Sequence, residues 1–162
     1  MPANRNPLKT MKIQTSAKHR LAMLDLVLKK EPQMGYSDME ITRGGPSYTI
    51  DTMSELLAVR PAEYWFLMGA DALKGFTDWK NPAKLVKMCR LAVAMRPPTS
   101  QFELMARIPE EYRSQIDVIQ MASSEISSTE LRDRISQGQP VNHWISPEVL
   151  QYAQANKLYQ LA

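Results

Sequence analysis

Three short apolar runs recur along the chain: EYWFLMGA at 63–70, RLAVAM at 90–95 and IDVIQM at 116–121. Their lengths suit buried strands better than helices, and each ends in turn-forming or polar residues. Between them lie stretches with helical spacing of apolar residues. Strands alternating with helices predict a parallel sheet covered by helices on both faces, an α/β fold. A further strand is expected over Tyr36 to Ile41. Helices are expected from Ser16 to Lys30, where Ala17, Leu21, Leu24 and Leu28 share a face, and after RGGPSYT, where Ile50, Met53 and Leu57 do. Asn81-Pro82 should open another helix running to about Cys89, with asparagine as cap and proline at the first position. One or two helices should fill 100–114, one should end before Gly138, and Ser146-Pro147-Glu148 should open the last, to about Asn156.

In open parallel sheets, ligands bind beyond the carboxyl ends of the strands. RGGPSYT, GAD, RPP and SSEISST occupy that position here, so the fold would bring them to one edge. Each segment has a plain reading and a functional one. Gly44 and Gly45 form a turn, and Ser47 or Thr49 caps the next helix; or the backbone approaches a ligand there, with Tyr48 and Thr49 touching it. Asp71 caps a short helix, or it accepts hydrogen bonds from a ribose. Trp79 is core, a lid anchor, or a stacking platform. Arg96, held between a strand and two prolines, is a solvated charge or faces an anion. In EISSTELRDRI, Ser127 and Glu130 make a capping box. The box accounts for neither Ser128, Thr129 nor Arg132, and a helix N-terminus with hydroxyls and an arginine suits phosphate.

The totals narrow the class. The 162 residues suggest one domain, and a net charge of +3 with scattered lysines and arginines does not argue for a nucleic-acid partner. The single cysteine, Cys89, excludes an internal disulfide and fits a reducing compartment. No run is long enough for a membrane span, and MPANRNPLKT lacks an apolar signal core, so a cytoplasmic protein is expected. His19 and His143 sit in no metal-ligand motif, and His19 is expected at the surface. Neither a Walker loop nor GxGxxG occurs.

Taken in order, NPLK (6–9), HRLAML, DMEITRGGPSYTIDTM, YWFLMGADAL, FTDW, LAVAMRPP and ISSTELR resemble the bacterial nicotinate mononucleotide adenylyltransferases across nearly the whole chain. SYTIDT, GADAL and ISSTELR together are specific. The resemblance implies a doubly wound, Rossmann-like sheet of the nucleotidyltransferase type. It implies transfer of the adenylyl group of ATP, with Mg²⁺, to nicotinate mononucleotide. By the same resemblance Tyr48, Thr49, Trp79 and Arg96 fall on the mononucleotide side. Gly69 and Asp71 fall at the ribose and adenine of ATP, and Ser127, Ser128, Thr129 and Arg132 at its triphosphate. Lys9 and Arg132 would serve catalysis near the phosphates. Small molecules are the implied partners, with no nucleic acid and no membrane; the sequence does not give the oligomeric state.

The family opens with a strand and a loop of the type GGxFxPxHxGH, and this sequence contains no such segment. The expectation is therefore a single adenylyltransferase-like domain over 1–162, N-terminally incomplete and missing the first strand, with poor stability or weak activity as it stands. The alternatives are a non-catalytic nucleotide-binding remnant of the same fold and a phosphopantetheine adenylyltransferase-like enzyme.

Overall fold

RLAVAM forms the middle strand of a three-stranded parallel sheet because it has apolar side chains on both faces and neighbours on both edges. In the computed structural model, which describes residues 1–7, 15–97, 100–106, 108–122 and 126–160, the elements follow in this order. Helices α1 (Ala17–Leu28), α2 (Met39–Arg43) and α3 (Thr49–Val59) precede strand β1 (Trp65–Gly69). Helix α4 (Ala70–Lys74), a 3₁₀ turn (Phe76–Asp78) and α5 (Pro82–Leu85) lead to β2 (Arg90–Met95). Then come α6 (Gln101–Ala106), α7 (Glu110–Arg113), β3 (Ile116–Gln120), α8 (Ser128–Ser136) and α9 (Pro147–Ala155). Two compact units result: Met1–Pro46 with Glu125–Ala162, and Ser47–Ser124.

The Ser47–Ser124 unit holds the sheet, in the order β1-β2-β3. Phe66 pairs with Leu91 and Met68 with Val93; Leu91 pairs with Ile116 and Val93 with Val118. One face therefore carries Phe66, Met68, Leu91, Val93, Met95, Ile116 and Val118. It packs into a core with Ile50, Met53, Leu73, Phe76, Leu85, Leu104 and Ile108. Full burial of each such side chain is worth about 1.5–3 kcal/mol, so this face fixes the register. The other face differs from a doubly buried strand. Trp65 is 53% and Leu67 65% exposed, so β1 is not buried on both sides as its composition suggests. There the Asp117 carboxylate receives Arg90 Nε and Nη2, each at 2.7 Å, and Trp65 Nε1 at 2.8 Å, tying all three strands together.

In the other unit, Ser16 caps α1 by accepting from His19 N, and Ser146 caps α9 by accepting from Val149 N. His19 Nδ1 lies 2.9 Å from the Tyr152 hydroxyl, joining α1 to α9, and Lys30 pairs with Glu148. His19 is thus half-buried and partnered rather than a surface residue. Gly138, at φ 67°, closes α8 where the sequence places its end.

Two elements depart from expectation. Residues 36–41 form no strand: Met39–Arg43 is a single helical turn, closed by Gly44 at φ 74°, whose N–H returns to Glu40 and Ile41 carbonyls. Alternating Met39 and Ile41 fit a strand, but the glycine pair that follows is a helix stop. The helix opened by Asn81-Pro82 ends at Leu85, not near Cys89, because the chain turns there to bury Val86 and Cys89 before β2.

Candidate functional site

Parallel register places the carboxyl ends of β1 and β2 side by side, Gly69 opposite Ala94 and Met95 opposite Gln120 of β3. At this edge Gly69 caps α4 in extended conformation, and a Cβ there would meet nothing within 4 Å. Asp71, two residues on, does not cap α4. Its carboxylate instead accepts from Lys74 Nζ at 2.7 Å and is 79% exposed. That hydrogen bond, with the nearby Lys74 charge and the more distant Arg96, holds the Asp71 carboxyl below its ordinary range. It is an ionised acceptor pointing to solvent, as a ribose-binding carboxylate must be. Arg96, exposed, directly follows β2, and its charge reaches Asp71.

Tyr48 is the N-terminal flank of α3, extended at φ −93° and ψ 129°, and Thr49 is the first helical residue. Tyr48, the residue at the N-cap position, makes no side-chain cap bond, and Thr49 lies inside the first turn. Trp79 packs edge-on against Phe66 (ring centroids 5.8 Å) and tilted against Phe76 (5.5 Å). Its Nε1 is buried with no hydrogen-bond partner among the described residues. The sequence overlooked two side chains beside these: Lys80 Nζ binds both Asp51 oxygens at 2.9 and 2.8 Å and stands 4.8 Å from the centre of the Tyr48 ring. Their only sequence signal was position, Lys80 next to Trp79 and Asp51 in the first turn of α3.

The hydroxyl run belongs to the other unit. Ser127 Oγ accepts from Glu130 N at 3.1 Å, so the cap is real. The reciprocal half of the box is absent: the Glu130 carboxylate is taken by Arg134 at 3.0 Å. Ser128 and Thr129 are exposed at the start of α8, and Arg132 Nη2 lies 3.4 Å from Thr129 Oγ1. Lys9, together with Pro98 of RPP and residues 123–125 before the hydroxyl run, lies outside the described residues. The structure thus groups Tyr48, Thr49 and Trp79, with Gly69, Asp71 and Arg96, in one unit, and Ser127, Ser128, Thr129 and Arg132 in the other.

Comparison with known proteins decides the family. The Cytidylyltransferase-like family model matches residues 1–134. A probable nicotinate-nucleotide adenylyltransferase of Carboxydothermus hydrogenoformans is 38% identical over 149 residues, covering 90% of this chain and 74% of that protein. The chain belongs to the nicotinate-nucleotide adenylyltransferase family. A second such relative, from Chromobacterium violaceum, is 33% identical over 160 residues and is covered to 76% of its length. Among solved structures, the Plasmodium falciparum nicotinic acid mononucleotide adenylyltransferase complexed with NaAD superposes with a TM-score of 0.74 at 19% identity, over 93% of this chain and 78% of that one. The same enzyme complexed with APC gives 0.71 at 18%. At these identities the structures establish the fold, an α/β parallel sheet as the strand pattern implied, and with the family match it is of the Rossmann-like nucleotidyltransferase type that the resemblance implied. No helix among the described residues is long and apolar enough to cross a membrane.

Proposed function

We propose that residues 1–162 act as one adenylyltransferase-like domain that transfers the adenylyl group of ATP to nicotinate mononucleotide, forming nicotinate adenine dinucleotide and pyrophosphate. One observation carries the reading. In a member of this family, Tyr48 and Thr49 sit at a helix N-terminus beside the Trp79 segment, while Gly69, Asp71 and Arg96 line the carboxyl edge of the parallel sheet. An aromatic wall, helix N–H groups and an ionised ribose acceptor are what two nucleotides require.

The chemistry needs no general base. A phosphate oxygen of the mononucleotide, already an anion, attacks the α-phosphorus of ATP in line. The new P–O bond forms as the bond to the β-phosphate breaks, and the electron pair leaves on pyrophosphate. Positioning and charge neutralisation then do most of the work. Tyr48, Thr49, Trp79 and Arg96 hold the mononucleotide; Gly69 and Asp71 hold the nucleoside of ATP; Ser127, Ser128, Thr129 and Arg132 hold the triphosphate, with Lys9 near the reacting phosphates. Among the described residues no group of three His, Cys, Asp or Glu side chains forms a metal cage. Mg²⁺ is accordingly assigned to the MgATP substrate, the usual way this ion enters phosphate sites, and no step is routed through a protein-held metal. Small-molecule partners and a cytoplasmic setting go with this reading.

The test is pyrophosphate release by the 162-residue chain. Release that requires ATP and nicotinate mononucleotide together supports the reading. Calorimetric binding of both without release would identify a non-catalytic nucleotide-binding protein. A preference for phosphopantetheine as acceptor would reassign the substrate.

A further inference from the structure

We infer that Lys80 is a positioning residue: with Asp51 it latches the Trp79–Asn81 turn to the first turn of α3 and so sets the spacing of the two walls assigned above to the mononucleotide. The inference rests on that assignment.

The geometry is more constrained than an ordinary surface ion pair. Lys80 Nζ is within 2.9 Å of one Asp51 oxygen and 2.8 Å of the other, and the same ammonium stands 4.8 Å from the Tyr48 ring centre. One cation therefore engages two residues that flank Thr49. The turn that carries it is fixed on both sides. Before it, Trp79 is wedged against Phe66 and Phe76. After it, Asn81 adopts the left-handed conformation at φ 52° and ψ 60° while its Oδ1 accepts from Lys84 N at 3.3 Å. Asparagine is one of the few non-glycine residues that take this conformation readily, because its short polar side chain can bond locally.

Charge bookkeeping supports the same role. Asp51 sits at the start of α3, where a carboxylate is favoured by the helix dipole but would repel an incoming anionic mononucleotide. Lys80 cancels that charge without occupying the helix N–H groups. Loss of Lys80 would both loosen the spacing and leave Asp51 uncompensated beside the anion. Loss of Asp51 would loosen the spacing alone, leaving a cation.

Four full-length chains discriminate: wild type, Lys80→Gln, Lys80→Arg and Asp51→Asn. In ligand-free protein, hydrogen exchange of the first-turn amides of α3 and of residues 80–84 should quicken several-fold in Lys80→Gln. It should stay near wild type in Lys80→Arg, which keeps the pair and the cation over Tyr48. In calorimetry, Lys80→Gln should weaken nicotinate mononucleotide about tenfold, Asp51→Asn less, and Lys80→Arg by no more than about threefold, with ATP affinity unchanged throughout. In turnover, the loss should appear in KM for the mononucleotide and not in KM for ATP. Unchanged exchange in Lys80→Gln overturns the latch. Faster exchange with unchanged mononucleotide affinity overturns the positioning role while leaving the proposed function intact. A wild-type chain that binds ATP but no mononucleotide defeats the substrate assignment, and with it the positioning role, whatever the exchange rates show.

Discussion

Trp79 carries a buried donor with no acceptor among the described residues, and this makes Trp79→Phe an informative substitution. An unsatisfied buried N–H costs about 1–3 kcal/mol relative to its hydrated state. Phenylalanine removes the donor and keeps a six-membered ring for the contacts with Phe66 at 5.8 Å and Phe76 at 5.5 Å. It also removes the five-membered part of the indole, roughly 40 Å² of area, or about 1 kcal/mol at about 25 cal/mol per Å². The two effects oppose each other and are of similar size, so Trp79→Phe should unfold within about 1 kcal/mol of wild type. Trp79→Ala removes the donor too but gives up the whole ring, and should lose about 3–5 kcal/mol. Urea unfolding followed by far-ultraviolet circular dichroism reads both without relying on the indole as the probe. At this chain length about 1 kcal/mol corresponds to about 2–4 °C in Tm. A loss above about 2 kcal/mol for Trp79→Phe would mean that Nε1 is satisfied, and the orphan-donor reasoning would fail.

Three further outcomes are expected. Asp117 has its carboxyl pulled down to about 2, first by the Arg90 hydrogen bond and then by Trp65. A depressed folded-state pKa contributes stability that is present above the unfolded value and lost as pH falls through the folded one. Asp117→Asn should therefore lower Tm at pH 7, and the gap from wild type should narrow between about pH 4 and about pH 2; a gap independent of pH would contradict this. Ser127→Ala removes the α8 cap, whose bond is 3.1 Å, and should cost about 1 kcal/mol, read by thermal melting. Arg132→Ala should leave Tm within about 1 °C, since an exposed contact contributes little, while weakening ATP in calorimetry; a marked drop in Tm would show a structural duty instead.

Strands were legible because a short apolar run with little room for alternation has few other uses; RLAVAM became β2 residue for residue. Tyr36 to Ile41 was misread because a single apolar pair at i and i+2 matches a strand but is too short to set a period, and the deciding signal, Gly44 at φ 74°, comes after it. Ends of α8 and α9 were legible because Ser127, Gly138 and Ser146 act locally, through their own backbone. The site divides the same way. Tyr48, Thr49 and Asp71 could be placed because helix starts and strand ends are local features. Lys80 could not, because its partner is a carboxylate 29 residues earlier. His19 escaped for the same reason, its partner Tyr152 lying 133 residues on. Local chemistry can be read along a chain, but pairing across the fold cannot.

That distinction also separates the two arginines of α8, which look equivalent in STELRDRIS. Arg134 is spent internally: Nε and Nη2 reach Glu130 Oε1 at 3.2 and 3.0 Å, and the guanidinium covers the Trp144 ring at 4.3 Å. Arg132, two positions away and so on another side of the helix, has among the described residues only the Thr129 hydroxyl, at 3.4 Å. Glu130 could have neutralised the start of α8, yet Arg134 draws its carboxylate away from the helix N-terminus. What remains there is a cation, the exposed hydroxyls of Ser128 and Thr129, and first-turn N–H groups, with the Glu130 carboxylate already paired. An anion meets less opposition at such an end than a complete capping box would offer, because the box would hold a negative charge over the same N–H groups. The half-made box is thus a better argument for a triphosphate here than the serine run that first suggests it.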